Sequence, residues 1–232
     1  MQAAFIPINI IPMETKNDVT IQISYPLLEQ LKLKKNKEIK IWLGKKNLSV
    51  KIQIVKNTQN EIHFPKPIYH YFSLPIQTYP FRARYLKETN CLHLGPVVGL
   101  LTDFISDTDT PNFRNIHLFC EELHQGLSEL GGFFYVFTYK NFSGTEVSGY
   151  YKENGKWVFS ELPYPDVIYN RIHSRKLEQV KSFLNFRKKL EQCNIPFFND
   201  RFLSKWEVHE KLLQDDTICP FIPETQIYTN ES

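Results

Sequence analysis

Glycine is scarce in this chain, nine in 232 residues, and it never falls into a phosphate-binding pattern. There is no GxGxxG and no GxxxxGK[ST], which excludes the ordinary dinucleotide fingerprint and the Walker loop. GxSxG, HExxH and the EF-hand loop are missing too, so the motif set names no catalytic residue and no metal ligand. Cysteine is limited to Cys91, Cys120, Cys193 and Cys219. None forms a CxxC pair or lies at zinc-ligand spacing from a histidine, so reduced core cysteines in a cytoplasmic protein are predicted. The seven histidines are dispersed. Charge of one sign is lacking as well. With 28 Lys and Arg against 25 Asp and Glu, the net +3 is too mild to make nucleic acid or a membrane the main partner. No apolar run approaches the roughly 18 residues of a membrane span. The start "MQAAFIPINIIPMET" has no basic n-region and its short apolar run is broken by prolines, so it does not read as a signal peptide.

What is present is apolar and aromatic: 42% hydrophobic and 14% aromatic residues. This predicts a globular chain of one large or two small domains. No solenoid-period repeat and no low-complexity tract is found. The character changes near position 90. Before it, period-2 alternation predicts short strands: "EIKIWLG" with Ile39, Ile41 and Leu43 inward, then "LSVKIQIV" with Leu48, Val50, Ile52 and Ile54, joined as a hairpin through "GKKN". "SYPLLEQLKL" suggests a short helix, and the proline-bearing "HFPKPIYHYFSLPIQTYPF" follows.

After position 95 the pattern becomes strand–helix–strand. "PVVGLLTD" reads as a buried strand. "TPNFRNIHLFCEELHQGLSELGG" reads as a helix, with Thr110 as N-cap, Pro111 at the first position, and an apolar stripe of Ile116, Cys120, Leu123, Leu127 and Leu130. Gly131 and Gly132 end it. "FFYVFT" is the next strand. "EVSGYY", a turn at "ENGK" and "KWVFSEL" form a hairpin. "DVIYN" is a third core strand. "SRKLEQVKSFLNFRKKLEQCN" is a second helix, expected to turn Leu177, Val180, Leu184 and Leu190 inward and to end at Asn194. "IPFFN" is a fourth strand. Such alternation predicts an α/β fold with a mostly parallel sheet.

One local design occurs twice. "VIYNRIHSRK" leaves a strand through Asn170 and Arg171 and starts a helix at Ser174, with Arg175 following. "PFFNDRFLSKW" leaves a strand through Asn199 and Arg201 and starts a helix at Ser204. Ligands of open α/β sheets bind beyond the carboxyl ends of strands, and helix starts favour anions. Two readings stay open: turn asparagines, capping serines and solvated arginines, or a carboxylate or phosphate held by Asn170, Arg171, Arg175, Asn199 and Arg201. In the second copy, Ser204 and Glu207 fit a capping box and Leu203 and Val208 its hydrophobic staple. That puts Lys205 at the first helical position, where the helix dipole disfavours a cation by about 0.3–1 kcal/mol when exposed. A bound anion would offset this; a solvated lysine is the plain alternative. The strip from Leu31 to Lys56 carries nine lysines against one glutamate. It reads more simply as the wet face of a two-stranded ribbon than as a nucleic-acid site.

Taken together, "GPVVGLLTDF", "PDVIYNRIHSRK", "IPFFNDRFLSKWEVHEKLL" and "PFIPETQIY" resemble the YheC/YheD family of ATP-grasp proteins, described as endospore coat-associated. The match spans about 95–232. The resemblance implies three segments: a β-rich N-terminal domain over 1–92, a Rossmann-like pre-ATP-grasp domain over 93–215, and over 216–232 the opening of an ATP-grasp domain whose core is absent or only begun. It implies ATP and Mg²⁺ as cofactors, with a small carboxylate activated as an acyl phosphate for attack by an amine or thiol. "LSKW" resembles the segment whose lysine contacts the ATP phosphates, which makes Lys205 the ATP-binding candidate. The family's second lysine and its metal ligands are not matched, and Asp215 and Asp216 do not fit the metal motif. The expectation is therefore a truncated, inactive front part of a ligase-like sporulation protein. The alternative is a non-catalytic structural protein, partnered by other spore-coat proteins. Nucleic acid and membrane are not expected as partners.

Overall fold

The computed structural model describes residues 5–14, 19–33, 38–106, 111–172, 174–201 and 203–228. The fold is α/β with two sheets. The chain divides into two compact units, Met1–Phe198 and Asn199–Ser232.

The first sheet is a closed barrel of seven strands: β1 (Ile6–Met13), β2 (Thr20–Ser24), β3 (Glu38–Leu43), β4 (Lys46–Val55), β5 (Glu61–Pro65), β6 (Tyr79–Leu86) and β7 (Cys91–Gly95), in the order β1-β5-β2-β4-β3-β7-β6. Period-2 alternation sends Ile8, Ile10, Ile21, Ile23, Ile39, Ile41, Phe81 and Ala83 into the interior, all buried. β3 and β4 pair from Glu38↔Lys51 to Leu43↔Lys46. Their turn is therefore the two residues Gly44 and Lys45, tighter than "GKKN". Gly44 adopts φ +57, and a Cβ there would meet the Tyr164 carbonyl oxygen at 2.1 Å.

The barrel contains two similar halves. β2 leads into α1 (Tyr25–Leu31), and β5 leads into α2 (Lys66–Tyr71). Each helix has proline as its second residue, Pro26 and Pro67. Each is followed by a left-handed non-glycine residue, Lys32 at φ 54 and Ser73 at φ 52. The closing bonds match: Leu33 N–H donates to Leu28 O, and Leu74 N–H to Tyr69 O. Gln22 and His63, set at that same sequence separation, stand opposite each other where β2 meets β5 antiparallel.

The second sheet has the order β11-β10-β9-β8-β12-β13, from β8 (Val97–Thr102), β9 (Phe133–Thr138), β10 (Val147–Glu153), β11 (Lys156–Leu162), β12 (Val167–Asn170) and β13 (Phe197–Phe198). β9, β8, β12 and β13 pair in parallel; β10 and β11 form an antiparallel hairpin on the β9 side. α3 (His117–Leu130) connects β8 to β9; α4 (Arg175–Glu178) and α5 (Lys181–Gln192) connect β12 to β13. Barrel and sheet share one core, with Tyr79 packing edge-on against Phe133 at 5.2 Å. A second core under α3 joins Leu100, Phe134 and Val136 to Ile116, Cys120 and Trp157. In the second unit, α6 (Lys205–Leu213) is followed by a 3₁₀ turn at Cys219–Phe221.

Two helices differ from the sequence reading. α3 starts at His117, after a 3₁₀ turn at Arg114–Ile116, and not at Pro111; Thr110 lies outside the described residues. Leu130, the last residue of α3 before the C-cap Gly131, leaves the stripe and is exposed. The second long helix is broken at Gln179 and Val180. α5 buries Phe183, Phe186 and Leu190, while Val180 and Leu184 are exposed. The two phenylalanines outweigh the leucine stripe because they fill an aromatic cluster with Tyr139 and Phe142. All four cysteines are free. Cys91 and Cys120 are buried; Cys193, the α5 C-cap, and Cys219 are only partly so.

Candidate functional site

From β8 the chain passes first to β9 on one side and later to β12 on the other. The space beyond the carboxyl ends of β8 and β12 is thus a topological switch point, where open parallel sheets bind ligands. Arg171 follows β12 directly, and its N–H donates to Leu101 O at 2.8 Å. Its guanidinium lies 4.8 Å from the Phe119 ring and 5.8 Å from that of Tyr169. Its Nε is buried without a hydrogen-bond partner among the described residues, which leaves a donor whose burial costs free energy until an acceptor arrives. Asn170 is buried beside it, but its side chain serves the turn. Oδ1 accepts from Ile172 N–H at 3.1 Å, and Nδ2 reaches Glu178 Oε1 at 3.5 Å. Arg175 opens α4 and is exposed; Ser174 caps that turn by accepting from Leu177 N–H at 3.3 Å.

In the second unit the capping box is complete. Ser204 Oγ accepts from Glu207 N–H at 3.0 Å, and Glu207 Oε2 accepts from Ser204 N–H at 2.8 Å. This fixes Lys205 as the first helical residue, exposed and with no ion pair among the described residues. Arg201 donates from Nη1 to Glu207 Oε1 at 2.9 Å. Bonds from Ser204, and then the charge of Arg201, hold the Glu207 carboxyl below the usual range. Glu207 thus offsets part of the misfit that a lysine at a helix start creates. Asn199 sits at φ 56, a conformation asparagine tolerates better than most residues. Leu203 and Val208 remain more than a third exposed.

Asn170, Arg171 and Arg175 lie between the end of β12 and the start of α4, and Asn199, Arg201 and Lys205 between the end of β13 and the start of α6. Thr102 and Phe119 were missed by sequence reasoning. Thr102 ends β8 at the switch point and is buried; the polar residue closing "GLLT" was its signal. Phe119 carried none, because its contact with Arg171 is set by α3 packing. Among the described residues no three His, Cys, Asp or Glu converge on a point. Asp215 is bonded to its neighbour Thr217. In the lysine strip, Lys45 Nζ donates to Asn194 O at 2.7 Å, and Lys46 Nζ to Tyr71 O and Ser73 Oγ, each at 3.2 Å. These two lysines tie elements of the fold together. Lys34, Lys35 and Lys37 lie outside the described residues.

A family model described as YheC/D-like ATP-grasp matches residues 194–232, the stretch that holds the α6 capping box. The chain is also similar to the Endospore coat-associated protein YheD of Bacillus subtilis (strain 168), with 29% identity over 189 residues, 79% of this chain and 41% of that protein. Both findings support the YheC/YheD family. The chain spans less than half the length of the YheD relative. No solved structure matches it significantly. No helix among the described residues is long and apolar enough to cross a membrane.

Proposed function

We propose that the chain works as part of an ATP-dependent, ligase-like protein of the YheC/YheD type. Residues 1–92 form its β-rich N-terminal domain, 93–215 a Rossmann-like pre-ATP-grasp domain, and 216–232 open the ATP-grasp domain. The observation that carries this reading is the capping box, which sets Lys205 at a helix start inside the family-matched segment. Lys205 contacts the nucleotide phosphates, using its charge together with the free N–H groups of the first turn of α6. Arg171 receives the carboxylate of the substrate at the switch point, because its buried Nε lacks an acceptor. Asn170 positions the turn that carries Arg171, and Arg175, Asn199 and Arg201 stand as secondary anion contacts.

Calorimetric titration with Mg²⁺–ATP tests the reading. Weak binding is expected for the wild-type chain, with a dissociation constant on the order of a millimolar, and none for Lys205→Ala. Equal heats from both proteins would remove Lys205 from the site. A second reading, a structural role in the spore coat, is favoured by the coat association that gives the YheD relative its name. Coat extraction of spores lacking nucleotide-binding capacity (Lys205→Ala) separates the two. Retention in the coat means assembly does not need the nucleotide site; loss, leaving the protein cytoplasmic, links the two.

A further inference from the structure

The barrel is closed and has no strand edge, and β13, at one end of the six-stranded sheet, is only two residues long. β11 is different. It is a seven-residue strand at the other end of the sheet, paired along its whole length with β10 from Val147↔Leu162 to Glu153↔Lys156 without a bulge. Its outer side forms no backbone hydrogen bond among the described residues. Proteins usually protect such an edge with proline, a bulge or repeated lysines. "KWVFSEL" has no proline and one lysine, and it leaves Phe159 51% exposed.

A groove runs beside the edge, with a cavity of about 350 Å³ lined by Ser160 and Glu161 on the strand and by His70, Ser73, Pro75 and Ile76 on the barrel. Ser73 Oγ donates to Glu161 Oε1 at 2.6 Å, which holds the barrel wall at the acidic end of the strand. The basic end, Lys156, follows the exposed turn Asn154–Gly155.

We infer that the β11 edge is the contact between two copies of this chain, joined antiparallel into one continuous sheet. The strand complements itself. A two-fold axis normal to the sheet at Phe159 sets Phe159 against Phe159, Val158 against Ser160, Trp157 against Glu161 and Lys156 against Leu162. Side chains that face each other across such a pair lie on the same face of the sheet, so the two exposed phenylalanines form a cross-strand aromatic pair. The basic end and turn of each strand meet the acidic end and groove of the other. Every feature the edge exposes is thereby used twice, as an isologous interface requires. The contact is independent of the nucleotide reading.

Sedimentation equilibrium of the 232-residue chain tests the inference. A monomer–dimer equilibrium is expected, with a dissociation constant in about the micromolar range. Phe159→Glu should raise that constant at least about tenfold, whereas Leu118→Glu, at an exposed position on α3, should leave it unchanged. Under mild oxidation Phe159→Cys should form a linked dimer faster than wild type, because facing positions come within disulfide reach. This variant decides the matter if Phe159→Glu fails to fold. A wild-type chain still monomeric at about 200 µM, well above a micromolar constant, overturns the inference. So does a dimer indifferent to Phe159→Glu, or cross-linking no faster than wild type.

Discussion

Ser204 and Glu207 decide where α6 begins, and so where Lys205 stands. Removing the hydroxyl (Ser204→Ala) should destabilise the first turn by about 0.5–2 kcal/mol, read as faster amide exchange at Lys205–Val208, while Lys205→Ala should leave exchange there nearly unchanged. The box was legible because S-x-x-E is a local pattern with a local cause. Arg171 was legible as a residue but not as a geometry: its place over Phe119 depends on α3, which lies far from it in sequence. Asn170 and Arg171 looked equivalent in "YNR". Only the folded turn separates them, since Asn170 is committed to Ile172 N–H and the Arg171 Nε is left without an acceptor.

Among the elements, α5 shows how aromatic packing overrides a leucine stripe. Phe183→Ala should cost about 3–5 kcal/mol, as for other buried phenylalanines, whereas Leu184→Ala, on the exposed side, should stay within about 0.5 kcal/mol; denaturant titration compares them. The start of α3 was misread because Pro111 is a good first helical residue anywhere, and only the turn at Arg114–Ile116 delays the helix. On α3, burial, and after it the charge of Lys152 on β10, hold the His124 imidazole below its ordinary value of 6.5; Glu121 opposes this in part. The folded state keeps His124 neutral, so the unfolded chain takes up the proton first. The stability is present above 6.5 and is lost as pH falls through the lower folded value. The melting temperature should therefore drop between about pH 7.5 and about pH 5.5, and less steeply in His124→Gln.

At the scale of the whole molecule, the β3–β4 hairpin and the strands of the six-stranded sheet were legible from alternation and apolar runs, but the other five barrel strands and barrel closure were not. Closure rests on parallel pairings such as β1 with β5 and β3 with β7, which no local signal announces. The similarity of the two barrel halves was written in "SYPLLEQLKL" and "PKPIYHYFSL", yet the shared features are one proline and an apolar spacing too sparse to stand out. Barrel and sheet are locked where Gly44 meets Tyr164. Gly44→Ala should lower the melting temperature by several degrees, since neither its backbone angle nor the Tyr164 carbonyl leaves room for a Cβ. The proposed function rests on the start of α6 binding phosphate. Amide chemical-shift mapping of the labelled chain during titration with Mg²⁺–ATP reads that binding at the residues concerned. Progressive shifts at Ser204–Glu207 are expected, and they should vanish in Lys205→Ala. Shifts absent from α6, or unchanged by that substitution, would contradict the proposed function.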